Sequence, residues 1–279
     1  MSSPGPEFQS ILRLLDDDNP TVRDAVSRKL ASYGPELETA LESAPADQRS
    51  QAVELQRLYQ RNEFLETWSS WIAEPTGIAK LESGLGFLAS YLCQGEIEPD
   101  AVTAKLDRIA AEFRRRYSEL NFRNLAEFLF HGGHFEGDED RYYDPDNSNF
   151  ARVLARQRGN PISLACVFIL VGDRLDLDVG GCNYPAHFLA RARCPEDGEL
   201  YLIDCFNEGK IIPAADLIKH HPLALKEVRE VVTLPAAAET IISRVLRNLD
   251  NACEHNEQHE ERAFVGRLWQ MLVDGCDSE

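Results

Sequence analysis

The chain has 279 residues, of which 43% are hydrophobic, and its 47 acidic against 29 basic residues give a net charge of -18. This length allows one large domain or two to three small ones. Such a negative chain repels phosphate backbones, which argues against nucleic acid as a partner. The longest apolar run, around residues 161–171, is too short to span a bilayer, so we expect no membrane partner.

The N-terminus and the cysteines indicate where the protein works. The first residues, "MSSPGPEFQS", contain neither the basic segment nor the apolar segment of a signal peptide. The seven cysteines form no Cys-x-x-Cys pair, and their number is odd. A disulfide framework is therefore disfavoured, and we expect a reduced, cytoplasmic setting.

The N-terminal region is predicted to be helical. Apolar residues recur at helical spacing over residues 8–42, and Asn19-Pro20 marks the start of a second helix. The pattern "LLDDDNPTVRDAVSRKLASYG" resembles one HEAT repeat unit, but a lone repeat cannot bury its faces. A plain helical hairpin is an equally good interpretation. Residues 42–50 are predicted to form a linker, followed by another helix over residues 50–73.

The rest of the chain alternates helical and irregular segments before a hairpin of strands. Helical patterns run from Gly77 to Tyr117, and "FEGDEDRYYDPDNSNF" predicts a long ordered loop. An apolar helix follows from Pro161. Two short strands, "HFLARAR" and "ELYLID", are joined by "CPEDG", which is typical of a hairpin. The C-terminus predicts a pair of helices.

Ser163 lies in the first turn of the apolar helix. Asn160 is a good N-cap residue and Pro161 a good first helical residue, so Ser163 falls at the third helical position. Unpaired backbone N–H groups and the positive end of the helix dipole concentrate there. This setting favours a thiolate, whereas an alcohol needs a histidine as general base and donors for an oxyanion.

The predicted hairpin brings a histidine towards an aspartate. A loop centred near residues 195–196 would place His187 opposite Asp204 or Cys205, within reach of cross-strand contact. A slip of one residue would turn one of them to the other face. Asp204 follows largely apolar strand residues and needs a partner, for which His187 is the obvious choice.

Three segments together resemble the SirB-type transglutaminase-like family: "DPDNSNFARVLARQRGNPISLACVFIL", "PAHFLAR" and "YLIDCFNEG". The resemblance covers about residues 77–230. It implies an α+β fold, predominantly helical, with a central helix packed on a small antiparallel sheet and helical segments on either side. We therefore expect a helical N-terminal region over residues 1–75, a transglutaminase-like core over residues 76–235 and a helical hairpin over residues 236–279.

The resemblance also assigns candidate catalytic residues. Ser163 stands where active transglutaminases carry cysteine, and His187 and Asp204 match their histidine and aspartate. The family commonly has serine or threonine at the cysteine position, and no activity is generally established for it. Ala186 and Cys205 depart from its usual glycine and proline. For Ser163 the structural alternative is a helix-capping hydroxyl, and for the His187–Asp204 pair it is a buried polar contact.

Four further residues are candidate binding residues: Asn147, Arg158, Asn160 and Asn207. The resemblance places the loop that contains Asn147 near the site. Arg158 would position a substrate carboxylate or, as the favoured alternative, anchor the acidic loop, as would Arg156. Asn207 would cap the turn after Asp204.

Other groups are weaker candidates. Cys166 lies on the Ser163 face of the helix and is either a displaced nucleophile or, more commonly, a small core residue. Cys182 and Cys205 with His187 match no standard zinc pattern, and the histidines of "HGGH" are expected to be solvated. We expect neither a metal nor a cofactor.

These features favour a transglutaminase-like binding or regulatory module for a protein or peptide partner. The alternative is an acyl-transfer enzyme, a hydrolase or transamidase, with Ser163 as nucleophile, His187 as general base and Asp204 as orienting residue. A third hypothesis is a scaffold whose helical repeats carry the function. The sequence leaves the oligomeric state open.

Overall fold

The computed structural model describes residues 6–34, 36–131, 134–185, 187–220 and 225–276. The chain divides into two compact units, one made of Met1–Ser70 with Ser90–Ile97 and the other of Trp71–Ala89 with Glu98–Glu279. The three regions expected from the sequence stay a prediction. No helix in the described part of the chain is long and apolar enough to cross a membrane.

The N-terminal helices are α1 (Pro6–Arg13), α2 (Pro20–Ala31), α3 (Glu36–Ala40) and α4 (Ala46–Ile72). Helix α2 begins as predicted, because the Asn19 side chain accepts a hydrogen bond from the N–H of Thr21 at 3.0 Å. The prediction of a linker over residues 42–50 is wrong from Ala46 onward, where α4 already begins. Pro45 immediately precedes this helix, a place where proline is well tolerated. The likeness to a HEAT repeat stays a prediction.

The later helices are α5 (Ile78–Leu92), α6 (Asp100–Arg116), α7 (Phe122–Ala126), α8 (Phe150–Arg156), α9 (Pro161–Arg174), α10 (Ala214–His220), α11 (Leu225–Thr233), α12 (Ala238–His255) and α13 (His259–Cys276). A π-helical turn over Glu127–His131 extends α7. The predicted C-terminal pair of helices is confirmed by α12 and α13, which pack against each other.

Two sheets complete the described part of the fold. A parallel pair joins β1 (Glu136–Gly137) to β2 (Arg158–Gly159). The antiparallel sheet has the order β3 (Val179–Cys182), β4 (Leu189–Arg193), β5 (Leu200–Asp204) and β6 (Lys210–Pro213). Strand β6 was not predicted; it is a short edge strand that ends in proline, a residue confined to such positions in sheets.

Helix α9 is the central helix of the second unit. Every residue from Ile162 to Gly172 is buried, as expected for a helix that is apolar on all sides. The helix contacts β3, β4 and β5, and also α6 and α12. These contacts confirm the predicted α+β class with a central helix packed on a small antiparallel sheet.

The hairpin of β4 and β5 differs from its predicted register. Ala190 pairs with Ile203 and Arg191 with Leu202, so placing His187 directly opposite Asp204 or Cys205 was wrong. Continuing the observed pairing puts Leu189 opposite Asp204. His187 lies two residues further on, and residues two apart share a face of a strand. An offset of two therefore leaves His187 on the same face as Asp204.

Candidate active site

The start of α9 has the predicted cap. Asn160 lies in extended backbone and its Oδ1 accepts a hydrogen bond from the Ser163 N–H at 3.0 Å. Pro161 follows as the first helical residue, where its missing N–H costs nothing. The backbone N–H of Ser163 is thus already satisfied by the cap rather than free to bind an oxyanion.

The hydroxyl of Ser163 is buried and hydrogen-bonded to the preceding loop. Ser163 is 2% exposed, and its Oγ donates to the backbone carbonyl of Asn147 at 2.6 Å. The Asn160 Nδ2 donates to the Ser148 Oγ at 3.0 Å. Asn147, Ser148, Asn160 and Ser163 thus form a buried polar cluster that joins the loop to the start of α9.

Arg156 holds this loop from its other side. Its guanidinium lies 3.1 Å from carboxylate oxygens of both Asp144 and Asp146 and donates to the Asn147 Oδ1 at 2.8 Å. Asp138, whose side chain is 0% exposed, lies 3.6 Å from the same guanidinium. That separation is too long for a hydrogen bond but gives the buried carboxylate a counter-charge.

The side chain of Asn147 is fully engaged within the loop. Its Nδ2 donates to the Arg141 carbonyl at 2.7 Å, while its Oδ1 accepts from Arg156. Asn147 is 1% exposed. This predicted binding residue therefore presents no free amide at the surface, and it contacts Ser163 through its backbone.

The outer face of the loop carries two half-exposed tyrosines, Tyr142 and Tyr143. The ring of Tyr142 meets Phe206 edge-on at 6.1 Å, just after Asp204 in the chain. Tyr143 stacks on His255 at 4.4 Å. Its carbonyl accepts a hydrogen bond from the Asn256 side chain at 2.8 Å.

His187 and Asp204 are brought together as predicted. The His187 Nε2 lies 3.1 Å from the Asp204 Oδ1. The Nε2 is nevertheless left without a well-formed hydrogen bond among the described residues, so the contact is close but poorly aligned. The His187 side chain is 33% exposed, against 12% for Asp204.

Asp204 is an ionised carboxylate held at a turn. The Asn207 side chain donates to its Oδ2 at 2.8 Å and the Asn207 N–H to its Oδ1 at 3.2 Å. Burial alone would raise the pKa of Asp204, but the contacts with His187 and Asn207 outweigh it, and the net pKa is lowered. Asn207 thus positions the carboxylate in the turn, which matches its predicted place.

The three candidate catalytic residues divide into two groups. No hydrogen bond joins Ser163 to His187 in the part of the chain that the structure describes. The Ser163 proton is directed to the Asn147 carbonyl, and the imidazole is directed to Asp204. A catalytic role for the three residues stays a prediction.

Arg158 lies outside both groups. Its Nε and Nη2 donate to the Glu136 Oε1 at 2.8 and 2.6 Å, across the short pairing of β1 and β2. Both side chains are exposed, so the pair contributes little stability. This contact fits the alternative of an arginine that anchors the loop, and a binding role stays a prediction.

The cysteines near the site are core residues. Cys166 is fully buried, and burial raises the pKa of its thiol far above its ordinary value. Burial likewise raises the pKa of Cys205 well above its ordinary value and that of Cys182 to about 11. Because only a thiolate is a good nucleophile or metal ligand, Cys166 does not replace Ser163.

The described residues also give no support to a zinc site, because they contain no group of three or more metal-binding side chains suited to hold an ion. Ala186 and the two glycines of "HGGH" lie outside the described residues.

Sequence reasoning missed Asp138 and Tyr142. Asp138 looked like one more acid in a polar loop, but it is buried between two guanidinium groups, that of Arg141 at 3.5 Å and that of Arg156, 18 positions away, at 3.6 Å. Tyr142 gave no periodic signal, because it lies in irregular backbone. The only local hint was the presence of two adjacent tyrosines in an otherwise acidic segment.

Residues 100–247 match the model of the Transglutaminase-like superfamily, and this match includes Ser163, His187 and Asp204. The chain belongs to this superfamily. The match covers the central helix α9 and the antiparallel sheet. The narrower SirB-type assignment stays a prediction.

Bacterial and animal proteins are similar to about half of this chain. The chain is 36% identical over 150 residues to a UPF0162 protein of Xylella fastidiosa (strain 9a5c), which covers 52% of this chain and 53% of that protein. It is 32% identical over 148 residues to the UPF0162 protein YchA of Escherichia coli (strain K12), which covers 47% of this chain and 55% of that protein. The chain thus spans about half the length of these bacterial relatives.

The mouse F-box only protein 21 is 32% identical over 152 residues, which covers 51% of this chain and 22% of that protein. No solved structure matches the chain.

Proposed function

We propose that this chain is a non-catalytic transglutaminase-like protein that binds a peptide or protein partner beside His187. The observation that carries the proposal is the Ser163 hydroxyl, which is 2% exposed and donates its proton to the Asn147 carbonyl at 2.6 Å. A serine nucleophile must instead present its oxygen to the substrate and its proton to the general base. Ser163 fits a structural role, in which it joins the loop to the start of α9.

The face around His187 suits a partner better than a small substrate. Tyr142 and Tyr143 are each 46% exposed, His187 is partly exposed, and the Tyr142 ring meets that of Phe206, two residues after Asp204. Tyrosines supply large contact areas at low cost in conformational entropy and are frequent anchors of protein interfaces. The net charge of -18 favours partners with basic groups.

The retained His187–Asp204 pair favours a second candidate, an acyl-transfer enzyme. In that reaction the Ser163 Oγ would bond to an amide carbonyl while His187 takes its proton, and the C–N bond would break as His187 returns the proton to the leaving amine. The loop at Asn147 would first have to release the hydroxyl. The Ser163 N–H, now bound to Asn160, would also have to be freed to act as an oxyanion donor.

A fluorophosphonate probe separates the two candidates. We expect no covalent labelling of the purified protein, because its serine oxygen is buried and its proton is not directed to a base. A known serine hydrolase serves as the positive control. Labelling that is lost in both Ser163→Ala and His187→Ala would overturn the proposal in favour of the enzyme.

Partner capture tests the binding half. The intact chain and the variant Tyr142→Ala/Tyr143→Ala are used as baits under identical conditions. We expect a partner that the double variant loses. Leu120→Ala is the matched control, since Leu120 is similarly exposed at 42% and lies on a different loop. An unchanged set of partners in the double variant would count against this face as the binding surface.

A further inference from the structure

A cavity of about 260 Å³ lies between the C-terminal helices and the end of β3. It is lined by one face of α12, by two residues of α13 and by Asn183: Asn183, Glu239, Thr240, Ser243, Arg244, Arg247, Leu272 and Val273. Ligand pockets commonly measure about 300 to 1,000 Å³. This cavity therefore suits one group the size of an amino-acid residue rather than a large cofactor.

Two arginines with no carboxylate partner line this cavity. Arg244 is half-buried and Arg247 is exposed, and among the described residues neither guanidinium makes a hydrogen bond or an ion pair with a carboxylate. The Arg247 guanidinium instead lies 5.7 Å from the centre of the Trp269 ring, which holds it in place. Unpaired arginines next to each other are unexpected in a chain with a net charge of -18, and guanidinium groups bind carboxylates strongly.

The one carboxylate in the lining is already neutralised. Glu239 accepts from the buried Lys80 ammonium at 2.7 Å and from the Thr76 hydroxyl at 2.8 Å. Its charge is therefore balanced by the Lys80 ammonium. The guanidinium charges of Arg244 and Arg247 are therefore left to attract an anionic group in the cavity.

Asn183 presents a buried acceptor that calls for a hydrogen-bond donor from the ligand. Its side-chain oxygen is buried and has no hydrogen-bond partner within the described ranges. A buried acceptor left without a partner is costly, and a ligand N–H would satisfy it. The buried Leu272 and the exposed Val273 provide the apolar part of the lining.

We infer that this cavity binds an α-amido carboxylate, the group that ends every peptide chain and that N-acyl amino acids share. The carboxylate would pair with Arg244 and Arg247, the amide N–H would donate to Asn183, and a small apolar side chain would lie against Leu272 and Val273. Capture of a terminal carboxylate is a recurring mode of peptide recognition. The inference does not depend on the proposed function, because none of these residues belongs to the Ser163 cluster or to the His187–Asp204 pair.

Isothermal titration calorimetry on the full chain tests the inference with N-acetyl-leucine as the probe. We expect saturable binding with a Kd near or below about 1 mM and binding at least about tenfold weaker for N-acetyl-leucine amide, which lacks the carboxylate. The ester analogue, in which oxygen replaces the N–H, should also bind more weakly, because it cannot donate to Asn183. A peptide ending in free leucine that binds more tightly than N-acetyl-leucine would identify a peptide terminus as the source of the ligand, and weaker binding would identify a small molecule.

Substitution of the two arginines locates the site. Arg244→Gln/Arg247→Gln is expected to weaken N-acetyl-leucine binding by about tenfold or more, whereas Arg267→Gln, an exposed arginine of α13 outside the cavity lining, should leave it unchanged. Equal binding of the acid and its amide to the intact chain would overturn the inference without any variant. Unchanged binding in the folded double variant, or equal binding of inorganic phosphate, would overturn it as well.

Discussion

The buried polar cluster at the start of α9 and the His187–Asp204 pair are two halves of one expected triad, yet they lie in opposite environments. In the cluster, the Ser163 hydroxyl and N–H and the Asn160 amide are all hydrogen-bonded within the fold. In the pair, the imidazole is 33% exposed and its contact with Asp204 is poorly aligned. We call the cluster the closed half of the site, because its polar groups are buried and hydrogen-bonded. We call the pair the open half, because the His187 side chain is partly exposed and its contact with Asp204 is poorly aligned.

Serine, histidine and aspartate in the right order along a chain are not sufficient for a catalytic site, because each group must also face the substrate or the next group. The start of a helix supplies backbone N–H groups and a dipole. When a side chain such as Asn160 caps the helix, it already occupies such an N–H group. A nucleophilic serine must present its oxygen to the substrate and its proton to a general base. In this chain the partly exposed side chain is that of His187 and not that of Ser163.

Loss of Arg156 should have the largest effect on the closed half. Arg156→Ala removes one of the two guanidinium groups beside the buried Asp138 carboxylate, the other being that of Arg141 at 3.5 Å, and releases the loop that covers Ser163. We expect a loss of about 2–3 kcal/mol in the free energy of unfolding, measured by urea denaturation, because the buried Asn147 Oδ1 also loses its charged donor. Arg158→Ala, which removes only an exposed ion pair with Glu136, should cost less than about 1 kcal/mol. Equal costs would mean that the buried network does not hold the loop.

We expect Ser163→Ala to lower the free energy of unfolding more than His187→Ala does. This order is the reverse of that expected for a strained catalytic serine. Ser163→Ala leaves the Asn147 carbonyl buried without its donor, so we expect a loss of about 1–3 kcal/mol in unfolding free energy. His187→Ala removes a partly exposed, poorly aligned contact and should cost under about 1 kcal/mol. A more stable Ser163→Ala variant would be typical of a strained catalytic serine and would reverse the comparison.

The Asp204 carboxylate should make the open half sensitive to acid. Its pKa is lowered in the folded chain, so its contribution is present above the unfolded pKa of about 3.9 and is lost as pH falls through the folded pKa. We expect the stability advantage of the native chain over Asp204→Asn to be constant near neutral pH and to shrink below about pH 4. Thermal unfolding across the pH range measures this difference. An advantage that grows on acidification would contradict the assignment of an ionised Asp204.

Of these substitutions, Ser163→Cys should have the smallest effect on the native chain, with no gain in thiol reactivity. Ser163→Cys places a thiol in a site that is 2% exposed, so native-state alkylation by iodoacetamide should match that of the parent chain. After denaturation one additional thiol should react. A fast-reacting extra thiol in the native state would show that position 163 is accessible and that the closed half can open.

Local features of the site were predictable from sequence, and distant ones were not. Asn160, Pro161 and Ser163 could be placed because capping depends on residues within one turn. The shared face of His187 and Asp204 was anticipated because strand periodicity is two, although the register itself was wrong. The hydrogen bond from Ser163 to Asn147 joins residues 16 positions apart across irregular backbone, and no periodic pattern predicts such a contact. Strand β6 escaped because four residues ending in proline give too weak a pattern.

The hydrogen bond between Asn256 and the Tyr143 carbonyl has a consequence for the order of folding. Asn256 lies between α12 and α13, more than a hundred residues after the loop that it holds. During synthesis, which proceeds at about 5–20 residues per second, the loop at Asn147 emerges well before this support does. We expect the start of α9 to stay accessible on the ribosome until the C-terminal helices are made. Ser163 would then become shielded only after α12 and α13 have been synthesised.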